Sequence, residues 1–412
     1  MISAPKTISV PKIELVRSRV NIFNLMRLLL AIMVIFSHSY PLLYGVKVFD
    51  PFEHLTRAQR DLPTDHPIDA GHLAVYGFFI ISGFLVTMSW KNSRGLGKYL
   101  KSRVLRICPG FAAAVLVCAF ALAPLMAVHP ATYYHDLIAG KREFFLALLL
   151  LKGVWTPPVV CGALNGSLWT ISYEFSCYLT IALLGSVAYL SRPALSSRLQ
   201  KIAPALFFAG VYTLYCLHCN GHLLGTFGLM NSHIAWIESS HWGRRVIFVC
   251  ELGGDPITWS RQFAYFAAGM CLYLYKDVLF TNRLLPVFSG AILFVSAFLL
   301  PFMVYTLPLF GSYALISLCL LPSQPLSRIG QKADFSYGLY LYAFPIQQLV
   351  IYFFLTVANV HLTIGLLFVL ALAVTTLFAT ASWYLVEKPF LALKSKRKWP
   401  LKVAAIPEPV KL

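Results

Sequence analysis

A chain of 412 residues in which 58% of side chains are hydrophobic and only 12% are charged is not a soluble domain, where charged residues make up roughly 25%. The net charge of +18 comes with no nucleic-acid motif and no zinc-ligand spacing. It reads instead as Lys and Arg gathered in the cytoplasmic loops of an integral membrane protein.

The first twenty residues are polar and basic (Lys6, Lys12, Arg17, Arg19) and show no cleavable leader. The N-terminus is therefore expected in the cytoplasm, with the first apolar run retained as a span. Eleven apolar stretches follow, at 22–42, 73–90, 107–127, 144–160, 168–190, 203–217, 261–281, 285–303, 306–322, 335–357 and 362–386. The connection 43–72 carries Asp50, Glu53, Asp61, Asp65 and Asp69 against three bases and is expected outside. The connection 91–106 holds six Lys and Arg and no acid, so it belongs inside. Basic segments at 191–201, 276–283 and 323–334 (Arg328, Lys332), and the tail from Lys388 onward, are expected inside as well. Those placements hold together only if 144–160, which carries Lys152 and ends in Pro157-Pro158, does not span. The expectation is an all-α, polytopic membrane bundle of about ten transmembrane helices with one re-entrant or interfacial segment and both termini cytoplasmic. A membrane domain fills 1–390, and 391–412 is a short basic tail.

The outer loop 218–260 is rich in His and Trp (His222, His233, Trp236, His241, Trp242). It fits a sugar-stacking surface or, more readily, a loop lying on lipid headgroups. Nine scattered cysteines, including Cys216 and Cys219 at CxxC spacing, read as packing residues, and no metal site is expected.

Chemistry enters with the residues that a bilayer makes costly. Arg27 and His38 are the residues of the first span ionisable near neutral pH. Eleven steps at 100° return the helix to within about 20° of the same face, about 16 Å further along. Such residues face a bundle interior or a water-filled cavity. In the second span, Phe78-Phe79-Ile-Ile-Ser82-Gly83-Phe84 combines aromatic rings, a hydroxyl and a close-approach glycine. Arg103 and Arg106 share a helical face at the cytoplasmic mouth of the third span, where paired guanidiniums suit phosphate capture or lipid headgroups. Ser167-Leu-Trp169-Thr-Ile-Ser-Tyr-Glu174 puts a carboxylate into an apolar helix that starts at a capping residue within Asn165-Gly166-Ser167. Glu174 is expected to pair with Arg27 or a histidine. Ser336-Tyr337-Gly-Leu-Tyr340-Leu opens one late span. Ser382-Trp-Tyr-Leu-Val-Glu387-Lys-Pro-Phe390 closes the last, with Glu387 expected in a structural role.

Taken in order, Arg-x10-His, Phe-Phe-x-x-Ser-Gly-Phe, Arg-x-x-Arg, Ser-Leu-Trp-Thr-x-x-x-Glu, Ser-Tyr-x-x-Tyr-Leu and Ser-aromatic-x-x-x-Glu-x-Pro-Phe resemble the acyltransferase-3 family of integral membrane carbohydrate O-acyltransferases. The resemblance runs from about Asn21 to Phe390 and is to the stand-alone form without a soluble esterase-like domain. It implies transfer of an acyl group, acetyl above others, from cytosolic acyl-CoA to a carbohydrate hydroxyl at the outer side of a bacterial inner membrane. Acceptors such as lipopolysaccharide, exopolysaccharide, capsule or another glycan fit. No cofactor is bound; acetyl-CoA is the donor substrate. Arg27, Arg103 and Arg106 would hold the phosphates of coenzyme A. Phe78, Phe79, Ser82, Gly83 and Phe84 would line the channel for its arm. His38 would act as general base and Glu174 would orient it, with Ser167, Trp169, Ser336, Tyr337, Tyr340 and Glu387 in support. Many relatives carry His where Ala343 stands. Buried Arg, His and Glu would also suit a proton-coupled transporter, and a non-catalytic glycan-export subunit is the third reading.

Overall fold

The computed structural model describes residues 21–45, 48–55, 68–93, 95–127, 129–140, 144–145, 148, 151, 164–190, 197–219, 256–282, 284–300 and 302–394. The regular elements within these residues are helical. Ten long ones follow in chain order: α1 Phe23–Tyr44, α2 Ala70–Asn92, α3 Leu96–Met126, α4 Trp169–Leu190, α5 Ser197–Cys219, α6 Pro256–Leu274, α7 Leu285–Phe298, α8 Met303–Cys319, α9 Ser336–Val357 and α10 Ile364–Ala392. Most of the 144–160 segment, most of the 218–260 loop and the tail after Lys394 lie outside the described residues.

Six of the ten, α1 to α4, α9 and α10, are long and apolar enough to cross a membrane. Helix α7, at 14 residues, rises about 21 Å, short of a hydrocarbon core of about 30 Å. Side chains such as Leu183, Phe288, Leu377 and Leu385 are more than half exposed, as expected where the surrounding medium is hydrocarbon. One end of the bundle carries Arg27, Arg103, Arg106 and Lys388; the other carries Asp50, Glu53 and Asp69. We call these the basic and acidic ends.

Helix α2 is the hub. It packs on α1, α4 and α6, while α9 packs on α1, α3 and α10. Helices α5, α7 and α8 lie on the far side of α6. The α2–α6 crossing is set by two glycines. A Cβ on Gly83 would stand 2.0 Å from the Phe266 carbonyl oxygen, and one on Gly269 would stand 2.1 Å from that of Ile80. The backbones touch, as small residues allow where no hydrophobic effect drives helices together. Gly83 is therefore a packing residue and does not line a channel. Phe84 turns the same way, fully buried and stacked on Phe23 at 5.6 Å.

Helix α4 begins inside the bundle. Asn165 and Ser167 are almost completely buried. Asn165 Oδ1 accepts from Ser167 N and Oγ at 3.3 and 2.8 Å, the local helix start that its sequence encodes. Its Nδ2 donates to Leu341 O at 2.9 Å. Pro345 lies inside α9 and has no N–H to give the carbonyl four residues back, which is that of Leu341. The Asn165 amide satisfies that orphaned acceptor, as a buried backbone group in a membrane requires.

The two glycine environments predict different outcomes. Gly83→Ala meets a backbone carbonyl and should cost about 1–3 kcal/mol. Gly77→Ala meets only the terminal methyls of Leu30 and should cost clearly less. Thermal unfolding of the two detergent-solubilised variants against wild type measures the difference.

Candidate active site

Helices α1, α2, α3, α4 and α9 line a partly open cavity. Arg27, Phe78, Phe79, Ser82, Arg103, Arg106, Glu174, Ser336, Tyr337 and Tyr340 all line it, together with Thr170 and Tyr178. Residues scattered from 27 to 340 in the chain thus share one wall. His38, Ser167, Trp169 and Glu387 lie outside the lining, as do Gly83 and Phe84.

The basic end of the cavity is organised by a residue that sequence reading passed over. Asp334 precedes α9, and its Oδ2 accepts from Arg27 Nη1 at 2.5 Å and from Arg106 Nη2 at 2.6 Å. Its Oδ1 accepts from Ser336 Oγ at 2.5 Å. Burial alone would raise the Asp334 carboxyl; the Arg27 and Arg106 guanidiniums beside it outweigh that and hold it well below the usual carboxylate range. Arg106 also stands 3.9 Å from Glu387, whose Oε1 accepts from Ser382 Oγ at 3.2 Å, so Glu387 ties α10 to α3. The available signal was an acid two residues before Ser336 in a stretch otherwise counted for its bases.

Arg103 differs from its two neighbours. Its Nε and Nη2 donate to Ser102 and Ser89 hydroxyls, each at 3.2 Å, and its guanidinium lies 5.6 Å from the Tyr178 ring and 6.0 Å from that of Tyr99. Among the described residues it has no carboxylate within ion-pair distance.

Glu174 is the main correction. It pairs neither with Arg27 nor with His38. Its Oε1 accepts from Ser82 Oγ at 2.9 Å and from the Tyr178 hydroxyl. The reason is depth. The Tyr340 hydroxyl bonds Thr170 Oγ1 at 2.6 Å and Ser167 O at 2.7 Å, so α4 starts level with Tyr340 and runs toward the basic end. Glu174 lies one turn further that way, whereas His38 lies one turn the other way, against Phe344. By helix rise the two are roughly 12 Å apart along the bundle.

His38 sits beyond the cavity. Its ring meets Phe344 edge-on, with centroids 5.4 Å apart. Nδ1 is buried without a hydrogen-bond partner, and the residue as a whole is partly exposed. The start of α2 lies close to it. Asp69 caps that helix, accepting from His72 N at 2.7 Å and His72 Nδ1 at 2.8 Å. Burial would raise the Asp69 carboxyl, but the His72 hydrogen bonds bring it below its ordinary value. Tyr337 and Ser167 act as helix ties, Tyr337 donating to Ile107 O at 2.9 Å and Ser167 to Tyr340 O at 3.3 Å. Trp169 packs on Tyr173 at 5.6 Å. Ala343 faces away from the cavity, buried among Ala31, Ile35 and Ala371 of α1 and α10.

The apolar bundle thus holds an inner cavity lined by three arginines, with His38 one turn past its end. The chain matches the family model described as an acyltransferase domain over residues 20–383, and it belongs to that family of membrane acyltransferases. It is 27% identical over 388 residues to an O-acetyl transferase of Shigella phage Sf6, covering 92% of this chain and 98% of the relative. It is also 28% identical over 181 residues to nodulation protein 10 of Rhizobium leguminosarum bv. viciae, covering 40% of this chain and 44% of that protein. No solved structure matches. Family membership displaces the transporter and export-subunit readings: the protein is an acyltransferase.

The Asp334 cluster yields a stability prediction. Asp334→Ala leaves two partly buried guanidiniums without their shared carboxylate and should cost about 1–3 kcal/mol. Because the folded-state carboxyl is depressed, its stabilisation is complete above the ordinary carboxylate pKa of about 4 and fades as pH falls through the lower folded value. Thermal scans from neutral pH down to about pH 3 should show wild type losing stability below about pH 4 more steeply than Asp334→Asn.

Proposed function

We propose that this acyltransferase moves an acetyl group from cytosolic acetyl-CoA to a hydroxyl of an exported or cell-surface carbohydrate, in a bacterial inner membrane that the chain crosses about ten times with both termini inside. The observation that carries the reading is the cavity. It joins three arginines at the basic end to Tyr340 in mid-bundle, with His38 one turn further on. The named activity of the phage relative supports acetyl as the group moved.

Coenzyme A carries phosphates, which need cations, and a long flexible arm ending in the thioester. Arg103, with no carboxylate of its own, takes a phosphate. Arg27 and Arg106 share Asp334 and supply the remaining positive field, so an incoming phosphate replaces part of what Asp334 neutralises. The Ser82–Glu174–Tyr178 cluster provides polar partners for the amides of the arm, and Phe78 and Phe79 supply apolar wall. About 16 Å of helix separates Arg27 from His38, a length the arm can span.

At the far end, a carbohydrate hydroxyl attacks the thioester carbonyl carbon while His38 Nε2 takes its proton. The C–S bond breaks, an ester forms, and the proton passes from the imidazolium to the departing thiolate. The products are the acylated carbohydrate and free coenzyme A.

Mass spectrometry of surface polysaccharide from cells with and without the protein should show one acetyl mass lost without it; identical spectra would refute the reading. In kinetics, Arg103→Ala should raise KM for acetyl-CoA roughly 10-fold or more, the value of a charge-assisted hydrogen bond, with kcat little changed. His38→Ala should lower kcat about 10²–10⁴-fold while acetyl-CoA binding by titration calorimetry stays at the wild-type level.

A further inference from the structure

We infer that Phe344 is the residue that sets the size of the acyl group this enzyme transfers. The inference rests on reading the cavity as the donor site. Two aromatic rings of α9 stand in succession between that cavity and His38. Tyr340 lines the cavity, and its hydroxyl is held by Thr170 at 2.6 Å and by Ser167 O at 2.7 Å. Phe344 is one turn further on, its ring roughly perpendicular to that of His38 with centroids 5.4 Å apart. Tyr340 is anchored by two hydrogen bonds. Phe344 is held by ring contacts alone and is partly exposed.

Gly166 makes room for that ring. A Cβ there would come within 2.7 Å of Phe344 Cζ and 2.9 Å of Cε2. The ring packs against both Gly166 and His38. For His38 Nε2 to serve an attack on the thioester carbonyl, the carbonyl must come within reach of that nitrogen, and the alkyl part of the acyl group then meets the Phe344 ring. An acetyl methyl fits beside the ring. Each further methylene must displace it, and one methylene in such a site is worth roughly 10–200-fold in discrimination. Phe344 is thus a specificity residue that touches the transferred group.

The test compares acetyl-, propionyl- and butyryl-CoA as donors for the purified full-length protein, with surface polysaccharide extracted from producing cells as acceptor and release of free coenzyme A thiol as readout. Wild type should decline steeply from acetyl to butyryl. Phe344→Ala should raise the butyryl-to-acetyl ratio of kcat/KM by about 10-fold or more, and Phe344→Leu by less. Gly166→Ala, which drives the ring toward His38, should lower the propionyl-to-acetyl ratio below wild type. A ratio compares donors on the same protein, so a general loss of activity does not move it. Ratios unchanged in both Phe344 variants, or a flat wild-type profile, would overturn the assignment. If acetyl-CoA neither binds wild type nor yields coenzyme A, the donor-site reading itself fails, and this inference fails with it.

Discussion

One carboxylate between two guanidiniums holds the basic end of this protein together. Asp334 receives Arg27 from α1 and Arg106 from α3, and Arg106 reaches on to Glu387 of α10. In a medium of low dielectric, a cation at this position has few options: it pairs, finds water, or is not there. The pairing sets the depth at which α9 starts relative to α1. Every later residue of α9 inherits that depth, so Tyr337 and Tyr340 face the cavity and Phe344 meets His38. Buried ion pairs contribute little net stability compared with apolar packing of the same shape. A cluster of this kind is better understood as the cost of keeping two arginines, Arg27 and Arg106, in the cavity wall.

The second constraint is the backbone of α9. Pro345 leaves the Leu341 carbonyl without its helical donor, and no water in the hydrocarbon region can substitute. Asn165 fills the gap because α4 begins inside the bundle. That internal start has a further consequence. It places Glu174 near Ser82 and Tyr178, at the depth of the arginines, and away from the histidine. A backbone repair and the location of Glu174 are in this sense the same structural fact.

Much of the site was legible in the sequence because the relevant geometry is local. Arg27 and His38 fall on one face of one unbroken helix, and helical rise alone separates them by depth. The pair Arg103 and Arg106 reads the same way, although the structure gives them different work, one neutralised by Asp334 and the other without a carboxylate. Motifs read as units were less faithful. Phe78, Phe79 and Ser82 line the cavity, while Gly83 and Phe84 turn to α6 and α1, since consecutive helical residues are 100° apart and cannot all share a face. Asp334 was hidden by the use made of its segment, which was weighed for its bases when loops were assigned to sides. The span count was less legible: ten of eleven apolar stretches were expected to cross, and among the described residues six helices have the length and hydropathy of a crossing by themselves.

The sequence by itself determined the membrane class, the order of the helices, the ionisable residues that a bilayer would tolerate only with a purpose, and the family. The family follows from the resemblance of motifs in order and the rest from composition, periodicity and spacing; none of these needs knowledge of how helices are rotated or offset. Only the tertiary structure decided who pairs with whom. Arg27 finds Asp334 across 307 residues of chain, Glu174 finds Ser82 across 92, and Asn165 finds Leu341 across 176. Such partners depend on the rotation and depth of each helix, and those are set by close-packed crossings such as Gly83 on Gly269 and by the demand that every buried polar group be satisfied.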